Sequence, residues 1–166
     1  MSDRRSIVLT GFMGTGKSTV ALLLADRLDR LVVDMDTLIE QRTGWPIARI
    51  FAERGEPFFR TLEHALCLEL SLRDELVIAT GGGALLNPMS REALVGSAFV
   101  VCLQARPETL TERLADSPER PLAGRWQALL AERQAVYDAL PHQVWTDHKS
   151  PSEVVEEIIR LWNASQ

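Results

Sequence analysis

The chain is poor in the residues from which disulfide and metal frameworks are built. Its two cysteines, Cys67 and Cys102, lie far apart, one in a helical pattern and one in an apolar strand pattern. Neither has metal-type spacing, which argues against a disulfide or zinc scaffold and predicts buried thiols in a reducing compartment. Three histidines, His64, His142 and His148, share no ligand spacing, so imidazole metal binding is not expected. Positive charge is not in excess: a net charge of -5 and a pI near 5.2 argue against nucleic acid as the main partner. Any bound anion must then be attracted by locally clustered arginines. No apolar run approaches a membrane span. The opening Met-Ser-Asp-Arg-Arg leads after Ser6 into only four strand-like residues, which predicts a cytoplasmic protein without a membrane partner. Repeats, low-complexity tracts and dividing linkers are also lacking, so one domain is expected over residues 1–166.

The most informative stretch present is Gly11-Phe-Met-Gly-Thr-Gly-Lys-Ser18, set between the apolar strand Ile7-Val-Leu-Thr10 and the helix-forming Thr19-Val-Ala-Leu-Leu-Leu-Ala25. It fits the phosphate-binding loop G-x-x-x-x-G-K-[ST] in letters and in context. Glycines let the backbone curl so that successive N–H groups face phosphate oxygens, and the helix adds its positive N-terminal end. Lys17 supplies an ammonium for the outer phosphates, and the Ser18 hydroxyl is a natural magnesium ligand. A merely structural turn has no use for the Lys-Ser pair.

Strand-type runs recur at 7–10, 31–33, 76–79, 99–103 and 143–146, with helical patterns between them. This alternation predicts parallel strands and a three-layer α/β/α sandwich. The final helix carries its own start signal, Ser150-Pro-Ser-Glu153, with an apolar face of Val154, Val155, Ile158, Ile159 and Trp162. The stretch 116–124, rich in proline, glycine and charge, has the composition of a mobile lid over a site.

Ligands of an open parallel sheet sit beyond the carboxyl ends of its strands. The second strand ends in Asp34-Met-Asp36, whose carboxylates project to one side if the strand stays extended, one toward a metal and one toward an acceptor. Alternatively Asp36 caps the following helix. The third strand runs into Gly81-Gly-Gly83; three successive glycines imply a close backbone approach, or a hinge. Arg60 and Glu63 share one face of a helix beginning near Pro57, where a surface ion pair is the plain reading. Arg120 sits in the lid-like segment and Arg133 on a helix over 125–137; each taken alone reads as a solvated surface charge.

Taken together, GFMGTGKST, VDMDTLIE, IFAERGEPFFRTLE, VIATGGGALL, ERPLAG and ERQAVY resemble the shikimate kinase family over nearly the whole length. The resemblance implies a nucleoside-monophosphate-kinase-like P-loop kinase fold with a five-stranded parallel sheet in the order 2-3-1-4-5. It implies transfer of the γ-phosphate of ATP, with Mg2+, to the 3-hydroxyl of shikimate, on the route to chorismate and the aromatic amino acids, by a monomer. Carried over, Gly14, Thr15, Gly16, Lys17, Ser18 and Thr19 hold the ATP phosphates, with Ser18 and Asp34 on the metal. Asp36 binds the shikimate hydroxyls, Arg60 and Arg133 grip its carboxylate, and the backbone of Gly81, Gly82 and Gly83 completes the pocket. Lys17, Asp36 and Arg120 act in transfer; Arg113 and Pro151 flank the adenine. At an ordinary carboxylate pKa near 4, Asp36 is a weak base and chiefly orients the hydroxyl. The connection from Arg120 to Arg133 is shorter than the family's usual one. A gluconate-type kinase of the same fold, and a nucleotide-binding regulator without transfer activity, are the alternative functions.

Overall fold

Each of the five apolar runs becomes a parallel strand of one sheet. The computed structural model describes residues 3–115 and 125–166; the expected lid at 116–124, and Arg120 with it, lie outside the described residues. The strands are β1 (Ile7–Gly11), β2 (Leu31–Asp34), β3 (Leu76–Ala79), β4 (Phe99–Gln104) and β5 (His142–Trp145), in the spatial order β2-β3-β1-β4-β5. Strand β5 lies one residue earlier than its apolar pattern predicts. Thr146, past its end, still donates its N–H to the Gln104 carbonyl at 2.8 Å.

Between the strands run α1 (Lys17–Leu28), α2 (Met35–Thr43), α3 (Ile47–Arg54), α4 (Glu56–Leu70), α5 (Pro88–Ser97), α6 (Pro107–Ala115), α7 (Trp126–Asp138) and α8 (Pro151–Ala164). Strand alternation divides the apolar side chains between two cores. Ile7 and Leu9 face one side of the sheet and pack with Val20 and Leu24 of α1 and Val155 and Ile158 of α8. Val8 faces the other, with Met35, Phe59, Leu66, Leu94, Leu110 and Tyr137. Strands covered on both faces need no polar alternation, which is why β1, β3 and β4 are buried at every position. Cys67 and Cys102 are free thiols inside this second core, and burial pushes both up to about 12.

Helix α8 starts as its signals require. Ser150 Oγ accepts from the Glu153 N–H at 3.2 Å, Glu153 Oε2 accepts from the Ser150 N–H at 2.6 Å, and Pro151 occupies the first turn. Losing such a cap costs about 1 kcal/mol. No helix among the described residues is long and apolar enough to cross a membrane.

Candidate active site

Parallel register brings the carboxyl ends of β2, β3 and β1 together: Asp34 pairs with Ala79 and Leu9 with the same Ala79. A crevice of about 380 Å³ opens above them. The phosphate loop forms one wall. Gly11 has a φ of 129°, and a Cβ there would meet the Leu103 carbonyl oxygen at 2.2 Å; Gly16, capping α1, has a φ of 93°. Side chains rarely adopt such conformations, so these glycines shape the loop. Lys17 Nζ donates to the carbonyls of Gly11 at 2.8 Å and Phe12 at 2.9 Å, which holds the ammonium over the loop. Thr15 turns inward instead, its hydroxyl donating to the Phe12 carbonyl at 2.7 Å, while Gly14, Gly16, Ser18 and Thr19 line the crevice.

The expectation that Asp34 and Asp36 both end an extended strand is corrected. Strand β2 stops at Asp34, which is the N-cap of α2: its Oδ1 accepts from the Thr37 N–H at 3.2 Å. Asp36 is not the cap but a first-turn residue of the helix. The helical turn nevertheless leaves both carboxylates in the same crevice. Asp34 Oδ2 accepts from the Ser18 hydroxyl at 2.7 Å, so the two oxygen donors proposed for a cation lie side by side. No group of three or more His, Cys, Asp or Glu among the described residues is placed to hold a metal. A cation here would complete its shell with phosphate oxygens and water, which is the manner of Mg2+.

Asp36 Oδ1 and Glu63 Oε2 are buried without a hydrogen-bond partner among the described residues. Burial, then the charge of Asp34, raises the Asp36 carboxyl above its ordinary value, against the pull of Lys17. It is therefore a better base than an ordinary carboxylate. Glu63, 3% exposed, is also raised by burial, which outweighs the attraction of Arg60.

The triple glycine makes room for side chains. None of the three has a positive φ. A Cβ on Gly81 would lie 2.9 Å from Glu63 Oε2 and 3.2 Å from Asp36 Oδ1; on Gly82, 3.1 Å from Arg133 Nη1; on Gly83, 2.7 Å from both Nη atoms of Arg60. Three charged clusters thus press against three consecutive peptides. Tyr137, the only tyrosine, donates its hydroxyl to the Gly82 carbonyl at 2.6 Å, and burial pushes its phenol up to about 12, so it stays a donor. Arg60 is both pocket wall and ion-pair member: it reaches Glu63 at 2.7 Å and Glu56 at 3.2 Å. Burial lowers its pKa, but Glu63 and Glu56 outweigh this and raise it. Arg133 is 6% exposed and lies over the Phe12 ring at 5.8 Å.

Arg113 and Pro151 are not brought into this crevice. Arg113 instead ties the phosphate loop to the end of β5, donating to the Gly14 carbonyl at 2.9 Å and to the Thr146 hydroxyl at 3.0 Å. Several lining residues were not singled out from the sequence: Met13, Ile47, Phe51, Phe59 and Thr80, with Glu63 seen only as a partner of Arg60. Tyr137 carried a usable signal, lying one turn beyond Arg133 on the same helix.

The shikimate kinase family model matches residues 13–163. A shikimate kinase from Pelotomaculum thermopropionicum is 42% identical over 163 residues, covering 95% of either chain. A shikimate kinase structure from Acinetobacter baumannii, in complex with shikimate, superposes with a TM-score of 0.92 at 34% identity, over 98% of this chain and 95% of that one. A gluconokinase from Sinorhizobium meliloti covers 97% of this chain and 95% of that one with a TM-score of 0.64 at 21% identity, a likeness of fold alone.

Proposed function

This chain belongs to the shikimate kinase family and transfers the γ-phosphate of ATP to a hydroxyl of shikimate; we propose that its residues divide that work as follows. The phosphate loop and Lys17 hold the ATP phosphates in line with the acceptor. Ser18 and Asp34 would hold Mg2+, which would supply positive charge to offset that of the phosphates. Arg60 and Arg133 take the shikimate carboxylate with planar forks suited to bidentate pairing, which is how an acidic protein recognises an acid. Asp36 orients the acceptor hydroxyl and takes its proton as the phosphoryl group departs ATP. Because transfer runs through a loose transition state, alignment carries the larger share. Arg120 adds positive charge to the transferring group. Arg113 and Pro151 flank the adenine.

The observation that carries this division is the packing of Gly81, Gly82 and Gly83 against Asp36 and Glu63, Arg133, and Arg60 respectively. It sets one proton acceptor and two guanidinium groups around a single concave surface facing the phosphate loop. Coupled ADP-release assays with shikimate, gluconate and no acceptor test it: turnover is expected with shikimate alone, and equal turnover with gluconate overturns the assignment of the clamp. The chain acts as a cytoplasmic monomer, a state checked by light scattering.

A further inference from the structure

We propose that a closed network of three glutamines and one aspartate is the positioning device for Arg133. Helix α7 carries two i, i+4 pairs on adjacent faces. Arg133 lines the crevice and Tyr137 reaches the Gly82 carbonyl beside it, while Gln134 and Asp138, about 100° further round, face the ends of β4 and β5. Gln134 Nε2 donates to Gln104 Oε1 at 2.8 Å and to Asp138 Oδ1 at 2.7 Å. Gln104 Nε2 donates to Asp138 Oδ1 at 3.1 Å and Gln143 Oε1 at 2.5 Å. Gln143 Nε2 closes the set on the last turn of α7, donating to the carbonyls of Tyr137 at 2.6 Å and Leu140 at 3.1 Å. Each of the three amide groups therefore uses both of its N–H bonds.

The two arginines of the clamp differ in what aims them. Arg60 is braced by Glu63 and Glu56 on its own helix. Arg133 is buried, and no carboxylate among the described residues lies within ion-pair distance of it. Its guanidinium touches the Tyr137 side chain of the same helix and the Phe12 ring, so a rotation of α7 about its axis carries Arg133 and Tyr137 together and resets its direction. Side chains reach about 6 Å from a helix axis, so a turn of about 10° moves a guanidinium by about 1 Å. Apolar packing tolerates such a turn better than directional hydrogen bonds do. Gln104, 6% exposed at the end of β4, is the fixed point of the network on the sheet.

This inference rests on Arg133 as a ligand of the shikimate carboxylate, and the test keeps the two apart. Steady-state kinetics for both substrates, with melting temperatures, are measured on Gln134→Leu, Asp138→Asn and Arg133→Ala. A misplacement of this size is costly, so Gln134→Leu is expected to raise KM for shikimate roughly tenfold, leaving KM for ATP within about twofold. Asp138→Asn, which keeps the accepting Oδ1, is expected to stay near the parent value. If Gln134→Leu does not fold, Asp138→Ala on the exposed side of α7 is judged by the same criterion. Parallel changes in both KM values, or an unchanged KM for shikimate where Arg133→Ala raises it, overturn the positioning role. An unchanged KM in Arg133→Ala overturns the ligand assignment and the network's role with it.

Discussion

Nine consecutive residues, Gly11 to Thr19, carry the phosphate half of the crevice. The half proposed for the acceptor draws Asp36 from α2, Arg60 and Glu63 from α4, Gly81 to Gly83 from the end of β3 and Arg133 from α7. The first half recognises charge that ATP brings with it, so backbone N–H groups, a helix terminus and one lysine suffice, and its glycines are required by their own φ angles. The second must distinguish one small acid from others. In the proposed division it does so with side-chain charges withdrawn from water, and its glycines are required by their neighbours. A phosphate site is thus a property of a local conformation, whereas an acceptor site is a property of packing.

The sharpest way to separate the halves is to remove the positive charge proposed to act on the phosphates. Lys17→Ala and Arg120→Ala are each expected to lower kcat by about a thousandfold or more, the scale of losing one positive charge from a transferring phosphoryl group. The KM for shikimate should change little; an unchanged kcat in steady-state assays removes the residue from the machinery.

Asp36→Asn is expected to lower kcat by about a hundredfold or more, as for a lost general base, yet to raise the melting temperature at neutral pH. The sign follows from linkage. Because the folded carboxyl is raised above 3.8, folding is favoured while the group is protonated, and that advantage is lost as pH rises from 3.8 through the folded value. The variant should therefore be more stable than the parent at pH 7 and lose its advantage at low pH. Parent kcat should fall on the acid side with a midpoint above the ordinary aspartate value. Equal melting temperatures at pH 7 would sink this account.

Arg60→Ala removes a charge-assisted fork, worth about 2–3 kcal/mol or roughly 30- to 150-fold in KM for shikimate, with KM for ATP nearly intact. Failure to fold would point to the ion pair with Glu63 as its main role. The smallest effect tests the glycines: Gly83→Ala leaves the backbone unstrained but drives a methyl to 2.7 Å from the Arg60 fork. A rise of about tenfold in KM for shikimate is expected, since the guanidinium must give way. Isothermal titration with ATP should show no change, and matched losses for both ligands would break the distinction between the halves.

How much was legible follows the same division. The phosphate loop, the strand runs and the start of α8 are local patterns, and each formed within a residue of where the sequence places it, β5 being shifted by one. Asp34 and Asp36 show the limit. Their spacing is the same in a strand or a helix, and only the contact of Asp34 with the Thr37 N–H decided that the chain turns helical between them. Glu63 read as half of an ion pair because nothing adjacent in sequence says that its second oxygen is buried beside Gly81. Phe51 and Phe59, 5.0 Å apart between ring centroids, were not singled out from the sequence because only packing makes them the wall of a pocket. The three glutamines carry no pattern, Gln134 and Gln143 lying 30 and 39 residues beyond Gln104 along the chain.

Local order needed no more than the sequence. Hydrophobic period, capping residues and glycine conformation act within a few residues, and they specified a parallel α/β sheet ending in a phosphate loop. Folding alone decided which charges lose their water, which face one another and which way α7 is turned. Desolvation and electrostatic coupling act through space between segments remote along the chain, so the raised carboxyl of Asp36 and the aim of Arg133 exist only once the sheet has brought them together.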